Sequence, residues 1–246
     1  MTLNLCHPDS ILPGLQGMVM ANTFLDKELN RKRTVRVQKY ISMYHLDIGN
    51  PGFADNEEEI PCIQRPRVFI PEHTWPFYQA RRKAGVNDAA DFWCDDYDIM
   101  RFVHHPERFI PDLQQRPCVF SFDLSTFQEF RLPLIRWNIY LNRLFTQEMQ
   151  AHGINVIPAV QWRDRKSFPI CFLGIPHGCP IAISTVGVKS NRISMQLWKE
   201  GVAEALRQIE PDFVFIYGER IDYDFGSTEI HYLDNEAVRR VRHYGR

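Results

Sequence analysis

Carboxylates stand where the apolar runs of this sequence end. Asp95 and Asp96 follow DFWC, Asp123 follows CVFSF, Trp162 and Asp164 follow INVIPAVQ, Ser184 and Thr185 close IAI, and Glu219 follows FVFIYG. If those runs are parallel strands, their carboxyl ends are where α/β folds bind ligands. An acid there is costly unless it is solvated or paired. Two chemistries suit such a set. Hard oxygens can hold a divalent cation such as Mg, or a carboxylate pair can do acid and base work on a sugar or nucleotide. In the second case Trp162 would stack on a ring. The catalytic candidates are Asp95, Asp123 and Glu219, and the ligand-binding candidates are Asp96, Trp162, Asp164, Ser184, Thr185 and Arg136. A plainer reading makes Asp95, Asp96 and Asp123 caps of the following helices. It also lets Arg163 and Arg220 neutralise the neighbouring Asp164 and Glu219. Arg136, near the start of a long helix, would face a phosphate or pair with Asp123; otherwise it joins Asn138 and Arg143 on a solvent-facing stripe.

Other chemistry is poorly supported. The stretch STVGVKSN (Ser184–Asn191) lies between a strand and a helix, where backbone N–H groups can cradle an anion. It lacks both the P-loop and the dinucleotide glycine patterns. Ser121 and Ser184 lie in no nucleophile elbow. His104 and His105 are adjacent and point different ways on a helix, so they do not share a metal. His177 with Cys171 and Cys179 has no second pair at finger spacing.

These candidates are positioned by alternating strands and helices. DFWC, PCVFSF, INVIPAVQW, CPIAISTVGV and DFVFIYGE read as strands apolar on both faces, with a short strand at Val68–Ile70 and a last one in EIHYLD. Between them, Asp98–Arg116 is helical in two pieces limited by Pro106 and Pro111. Leu132–His152 is the longest helix, with Pro133 in its first turn and Gly153 after its end. Its expected core stripe is Leu134, Trp137, Leu141, Leu144 and Phe145. An amphipathic helix runs through RISMQLWKEGVAEALRQIEP. Strands apolar on both faces and alternating with helices specify an α/β fold with a mostly parallel sheet, covered on both sides. It would be either open and doubly wound or an incomplete β/α barrel. The division expected is an irregular N-terminal extension over 1–84, mixed helix and loop, and an α/β domain over 85–246.

The totals narrow the class. A formal net charge of −1 gives no global attraction to nucleic acid or anionic membrane. No apolar window approaches a membrane span. Six cysteines without a C-x-x-C pair, and no secretory segment, point to reduced thiols in the cytoplasm. The basic runs Arg31–Lys39 and Arg81–Lys83 are nearly balanced by local acids and read as solvated faces.

The phrases FWCDDYD, FSFDLS with LPLIRWNIYLNR, HGINVIPAVQW, ICFLGIP, IAISTVGVK and FVFIYGE occur in this order over roughly residues 88–220. Together they resemble the bacterial and phage family called domain of unknown function 4417. The resemblance implies a phage or mobile-element setting and an α/β domain, and no particular activity. The expectation is therefore a phage-type protein whose acidic pocket binds, and can hydrolyse, a nucleotide- or sugar-like ligand. The alternative is a non-catalytic module that engages a host protein or nucleic acid through its N-terminal basic clusters. Oligomeric state and metal identity are open at this point.

Overall fold

The computed structural model describes residues 35–49 and 56–233. After helix α1 (Val35–Met43), the chain alternates strand and helix. The strands are β1 (Thr74–Pro76), β2 (Ala89–Phe92), β3 (Val119–Phe122), β4 (Val156–Ile157), β5 (Ile181–Ser184), β6 (Phe213–Tyr217) and β7 (Glu229–Tyr232). The helices between them are α2 (Phe77–Lys83), α3 (Asp96–His104), α4 (Ile110–Leu113), α5 (Leu132–Ala151), α6 (Phe168–Cys171) and α7 (Arg192–Ile209). No helix among the described residues is long and apolar enough to cross a membrane.

All strand pairs are parallel. They run in the order β1-β2-β3-β4 and β5-β6-β7, and a single bridge between Ala159 and Ala182 joins the two sheets. A doubly wound sheet needs a reversal in strand order. Here the order is sequential throughout, and among the described residues nothing pairs β7 with β1. The architecture is an incomplete β/α barrel.

Side chains alternate across the strands, and the alternation, broken at Phe122 where the β2–β3 register shifts, sorts the core. Phe213, Phe215 and Tyr217 of β6 meet Phe120 of β3, Ile157 of β4 and Ala182 of β5 on the concave side. Val214 and Ile216 point outward under α7, with Val202, Ala205 and Ile209. Phe92, Val119 and Phe122 pack outward against α2–α4 and against Leu141, Phe145 and Met149 of α5. Strands buried on both faces in this way explain why their sequences are continuous apolar runs.

Several expectations are corrected. The first strand is Thr74–Pro76 rather than Val68–Ile70, whose Val68 and Ile70 are exposed. On α5, Leu134 and Trp137 are exposed, while Ile135, Asn138, Ile139 and Asn142 face the core. The buried face is rotated because its polar members find partners inside. Nor does Arg143 belong to a solvent stripe. It is fully buried and donates to the carbonyls of Leu173 (3.0 Å) and Cys171 (3.0 Å) and to Asn142 Oδ1 (2.8 Å).

This arginine and Asn142 form the splice between the sheets. Asn142 Nδ2 donates to the carbonyls of Phe122 (2.6 Å) and Ala159 (3.2 Å), and its Oδ1 accepts from Ser121 Oγ (3.2 Å). Ser121 Oγ in turn accepts from the backbone N–H of Ala159 (2.8 Å). On the far side of that residue, Val160 N–H and Ala182 N–H make the bridge to β5, each at 2.9 Å. Burial pushes the Arg143 guanidinium down to about 10. Cys94, Cys118, Cys171 and Cys179 are free thiols, whereas Cys62 is disulfide-bonded, a departure from the expectation of reduced thiols.

Removing the Asn142 amide strands two carbonyls, a hydroxyl and a guanidinium N–H in the core, and each orphaned group costs about 1–3 kcal/mol. Asn142→Ala is therefore expected to lose at least about 3 kcal/mol of stability in urea unfolding. A loss under about 1 kcal/mol would mean the splice is not structural.

Candidate functional site

The concave sheet opens at the carboxyl ends of its strands into a cavity of about 800 Å³. Its wall takes Trp93, Cys94 and Asp95 after β2, and Asp123–Gln128 after β3. Gln161 and Trp162 follow β4, Ser184 comes from β5 and Tyr217 from β6, and Ser194, Leu197 and Trp198 come from α7. The loop after β3 is fastened to the segment after β4. Thr126 Oγ1 donates to the Trp162 carbonyl (2.9 Å), Gln128 Nε2 to the Arg163 carbonyl (2.6 Å) and Arg163 Nη1 to the Phe130 carbonyl. Trp162 itself is seated by its indole N–H on the Leu197 carbonyl (3.0 Å) and by its ring on Gly201. A Cβ at residue 201 would lie 1.9 Å from the indole, so only glycine admits it.

Asp123 is the acid that the cavity alters most. It has no hydrogen-bond partner among the described residues. Burial, followed by the nearby Asp96 carboxylate, pushes it up to about 7. Asp96 does not line the cavity; it accepts from the backbone N–H (2.9 Å) and hydroxyl (3.1 Å) of Ser125 and so holds its negative charge close to Asp123. Neither Asp95 nor Asp123 acts as a side-chain cap: Asp95 precedes α3 without a capping bond, and Asp123 does not adjoin a helix. Cys94 also lines the cavity, and its thiol is pushed up by burial and by Asp91, Asp98, Asp95 and Asp123. It is kept protonated, which is the opposite of what a nucleophilic thiolate requires.

The remaining sequence candidates divide. Ser184 is on the cavity wall, with its hydroxyl accepting from Val186 N–H (3.2 Å). Thr185 is buried beside it and donates to the Glu219 carbonyl (2.8 Å). Glu219 is exposed outside the cavity, ion-paired with Lys189 at 2.9 Å. Asp164 pairs with Arg163 (3.1 Å) and accepts from Lys166 N–H (3.0 Å), again outside the cavity. Arg136 reaches Glu58 (3.0 Å) and not Asp123. Of the anion loop, Ser184, Val186, Gly187, Val188 and Ser190 reach the cavity, and Asn191 caps α7 by accepting from Ser194 N–H (2.8 Å).

The strand-end acids do not gather into a three-ligand metal group. Among the described residues, the grouping with that geometry is Glu72, His73 and Asp88, within 4.8 Å, at the amino ends of β1 and β2. Its Asp88 already accepts from Trp75 Nε1 (3.0 Å) and Gly85 N–H (2.7 Å). Of the basic clusters, Arg81–Lys83 closes α2, with Arg81 near Asp112 (3.8 Å) and Lys83 over the Trp75 ring, while residues 31–34 lie outside the described residues.

Two lining residues escaped the sequence reading. Gln161 is only 7% exposed, and neither its Oε1 nor its Nε2 has a partner; the Trp93 indole N–H is likewise buried without one. The sequence signal for Gln161 was an amide closing the apolar run PAV immediately before Trp162.

A family profile described as Domain of unknown function (DUF4417) matches residues 54–234. The chain belongs to this family. The match starts well ahead of the phrases that carried the resemblance and takes in β1 and α2. Two curated relatives are "Gene 1 protein" of Mycobacterium phage L5, 31% identical, and "Gene 1 protein" of Mycobacterium phage D29, 29% identical, each over 189 residues. The alignments cover 76% of this chain in both cases, 78% of the L5 protein and 66% of the D29 protein. No solved structure matches the chain.

Because Asp123 titrates near 7 when folded and near 3.8 when unfolded, the folded state binds the extra proton between those values. Stability contributed by the neutral carboxyl is thus present below about pH 4 and lost as pH rises through 7. Asp123→Asn should be more stable than wild type above pH 7, by on the order of 4 kcal/mol, and the gap should close toward pH 4. Urea midpoints across that range check it, and a gap independent of pH would contradict it.

Proposed function

We propose that the protein binds a small nucleotide- or sugar-like ligand in the cavity at the strand carboxyl ends, with Asp123 as its acid or base. The observation that carries this reading is Asp123 itself. An unpartnered carboxyl on the wall of a ligand-sized cavity is a net cost to folding. A carboxyl held near 7 is also matched to giving or taking a proton at neutral pH.

Asp96 supports the role by its charge, and Asp95, also on the wall, supplies a second carboxylate for the same ligand. Trp162 offers a flat face for a ring, and Ser184 offers a hydroxyl. Glu219, Asp164 and Arg136, each paired outside the cavity, have no part in this reading. The curated relatives are phage proteins, and a phage setting is compatible with an enzyme or a binding protein.

The test is a thermal-shift panel of nucleoside monophosphates and simple sugars against wild type and Asp123→Ala. A ligand at 100 times its Kd stabilises by about 2.7 kcal/mol, which raises the midpoint by a few degrees in a protein of this size. The expected result is such a rise in wild type that is lost in the variant. A flat wild-type response to the whole panel overturns the reading.

A further inference from the structure

The cavity wall is unequal in charge. Asp95, Asp98 and Asp123 stand on it, and among the described residues Arg163 is its one cationic member. That arginine is already taken: its guanidinium donates to Asp164 (3.1 Å) and to the Phe130 carbonyl. Asp98 has a cation of its own in Arg101 (3.0 Å). Asp95, by contrast, is exposed, and Asp123 has no hydrogen-bond partner among the described residues. These acids converge on one part of the wall, where the Cys94 thiol is raised by burial and then by Asp91, Asp98, Asp95 and Asp123 together.

The loop that could cradle an anion is spent as well. Along Ser184–Asn191 and into α7, the N–H groups of Thr185, Val186, Val188, Ser190 and Ser194 donate to Tyr217, Ser184, Thr185, Gly187 and Asn191. A phosphate would therefore add negative charge to an acidic wall on which no described cation is free to meet it.

We infer that the ligand is held as a cation, an amine-bearing sugar or nucleoside, and that its phosphate esters are excluded. This rests on the cavity being the ligand site and adds the charge of what binds there. Ionised carboxyls only accept and an ammonium only donates, so the two are complementary. Hydrogen bonds between ions are roughly twice as strong as those between neutral groups, which is what separates an amine from a hydroxyl at the same position. An ammonium is also attracted to the face of an indole, which Trp162 offers on the same wall.

Isothermal titration of the full chain with two matched series tests this. One is glucose, glucosamine and glucose 6-phosphate; the other is adenosine, 5′-amino-5′-deoxyadenosine and AMP. The variants are Asp123→Asn, expected to be no less stable than wild type, and Asp95→Asn, at an exposed position. In at least one series the amine should bind wild type about tenfold or more tighter than its neutral parent, and the phosphate ester should not bind. Asp123→Asn should weaken the amine by about tenfold, and Asp95→Asn by a smaller factor. A parent bound as tightly as its amine, or a phosphate ester bound with or without added Mg, would overturn the charge assignment and leave the ligand cavity standing. Amine binding indifferent to Asp123→Asn would also overturn it. No binding of any probe to wild type would remove both the assignment and the site.

Discussion

The buried contact between Asn142, Arg143 and Ser121 is the constraint on which the other features rest. A seven-stranded sheet in sequential order has a weak point where β4, only Val156–Ile157, hands over to β5 through the Ala159–Ala182 bridge. There are too few ladder bonds at that seam to hold it by themselves. Asn142 closes it with side-chain bonds to β3 and to Ala159, and Arg143 reaches past it to the carbonyls of α6 and the turn that follows. A guanidinium buried without a carboxylate is expensive. Here three hydrogen bonds offset that cost by tying α5, β3, the seam and residues 171–173 into one unit.

The seam also sets the cavity. Residues 158–160 hang from β3 and β5, so the chain leaving them delivers Gln161 and Trp162 to the wall. The loop after β3 is then strapped across them by Thr126, Gln128 and Arg163. Asp123, one residue past β3, is left facing a space that protein atoms do not fill. Its raised proton affinity has a simple origin in desolvation, reinforced by the neighbouring Asp96, which Ser125 holds in place. Burial first, and then Asp91, Asp98, Asp95 and Asp123, hold the Cys94 thiol protonated.

The parallel strands were legible in the sequence because both faces of β3, β5 and β6 are buried, which leaves unbroken apolar runs. Asp123 was legible as the polar residue ending one of them. What failed was wherever a polar residue lies inside. A helical stripe drawn through Leu134 and Trp137 puts apolar mass in the core, but the real face of α5 contains Asn138, Asn142 and Arg143, whose partners are distant in sequence. Arg136 and Glu219 looked functional at their positions in the chain, and each is neutralised by a residue no local pattern could supply, Glu58 and Lys189. Gln161 and Trp93 were read as strand interior because being unpaired is a property of the cavity, not of the segment.

On the wall of the cavity, Asp123 retains its proton to neutral pH. Carbon-13 NMR of the aspartate carboxyls, followed through a pH titration of wild type and Asp123→Asn, addresses that directly. One carboxyl resonance should titrate near 7 in wild type and be missing from the variant. If every aspartate carboxyl is ionised by about pH 5, in the ordinary range for the side chain, then Asp123 is solvated and the cavity as described is wrong.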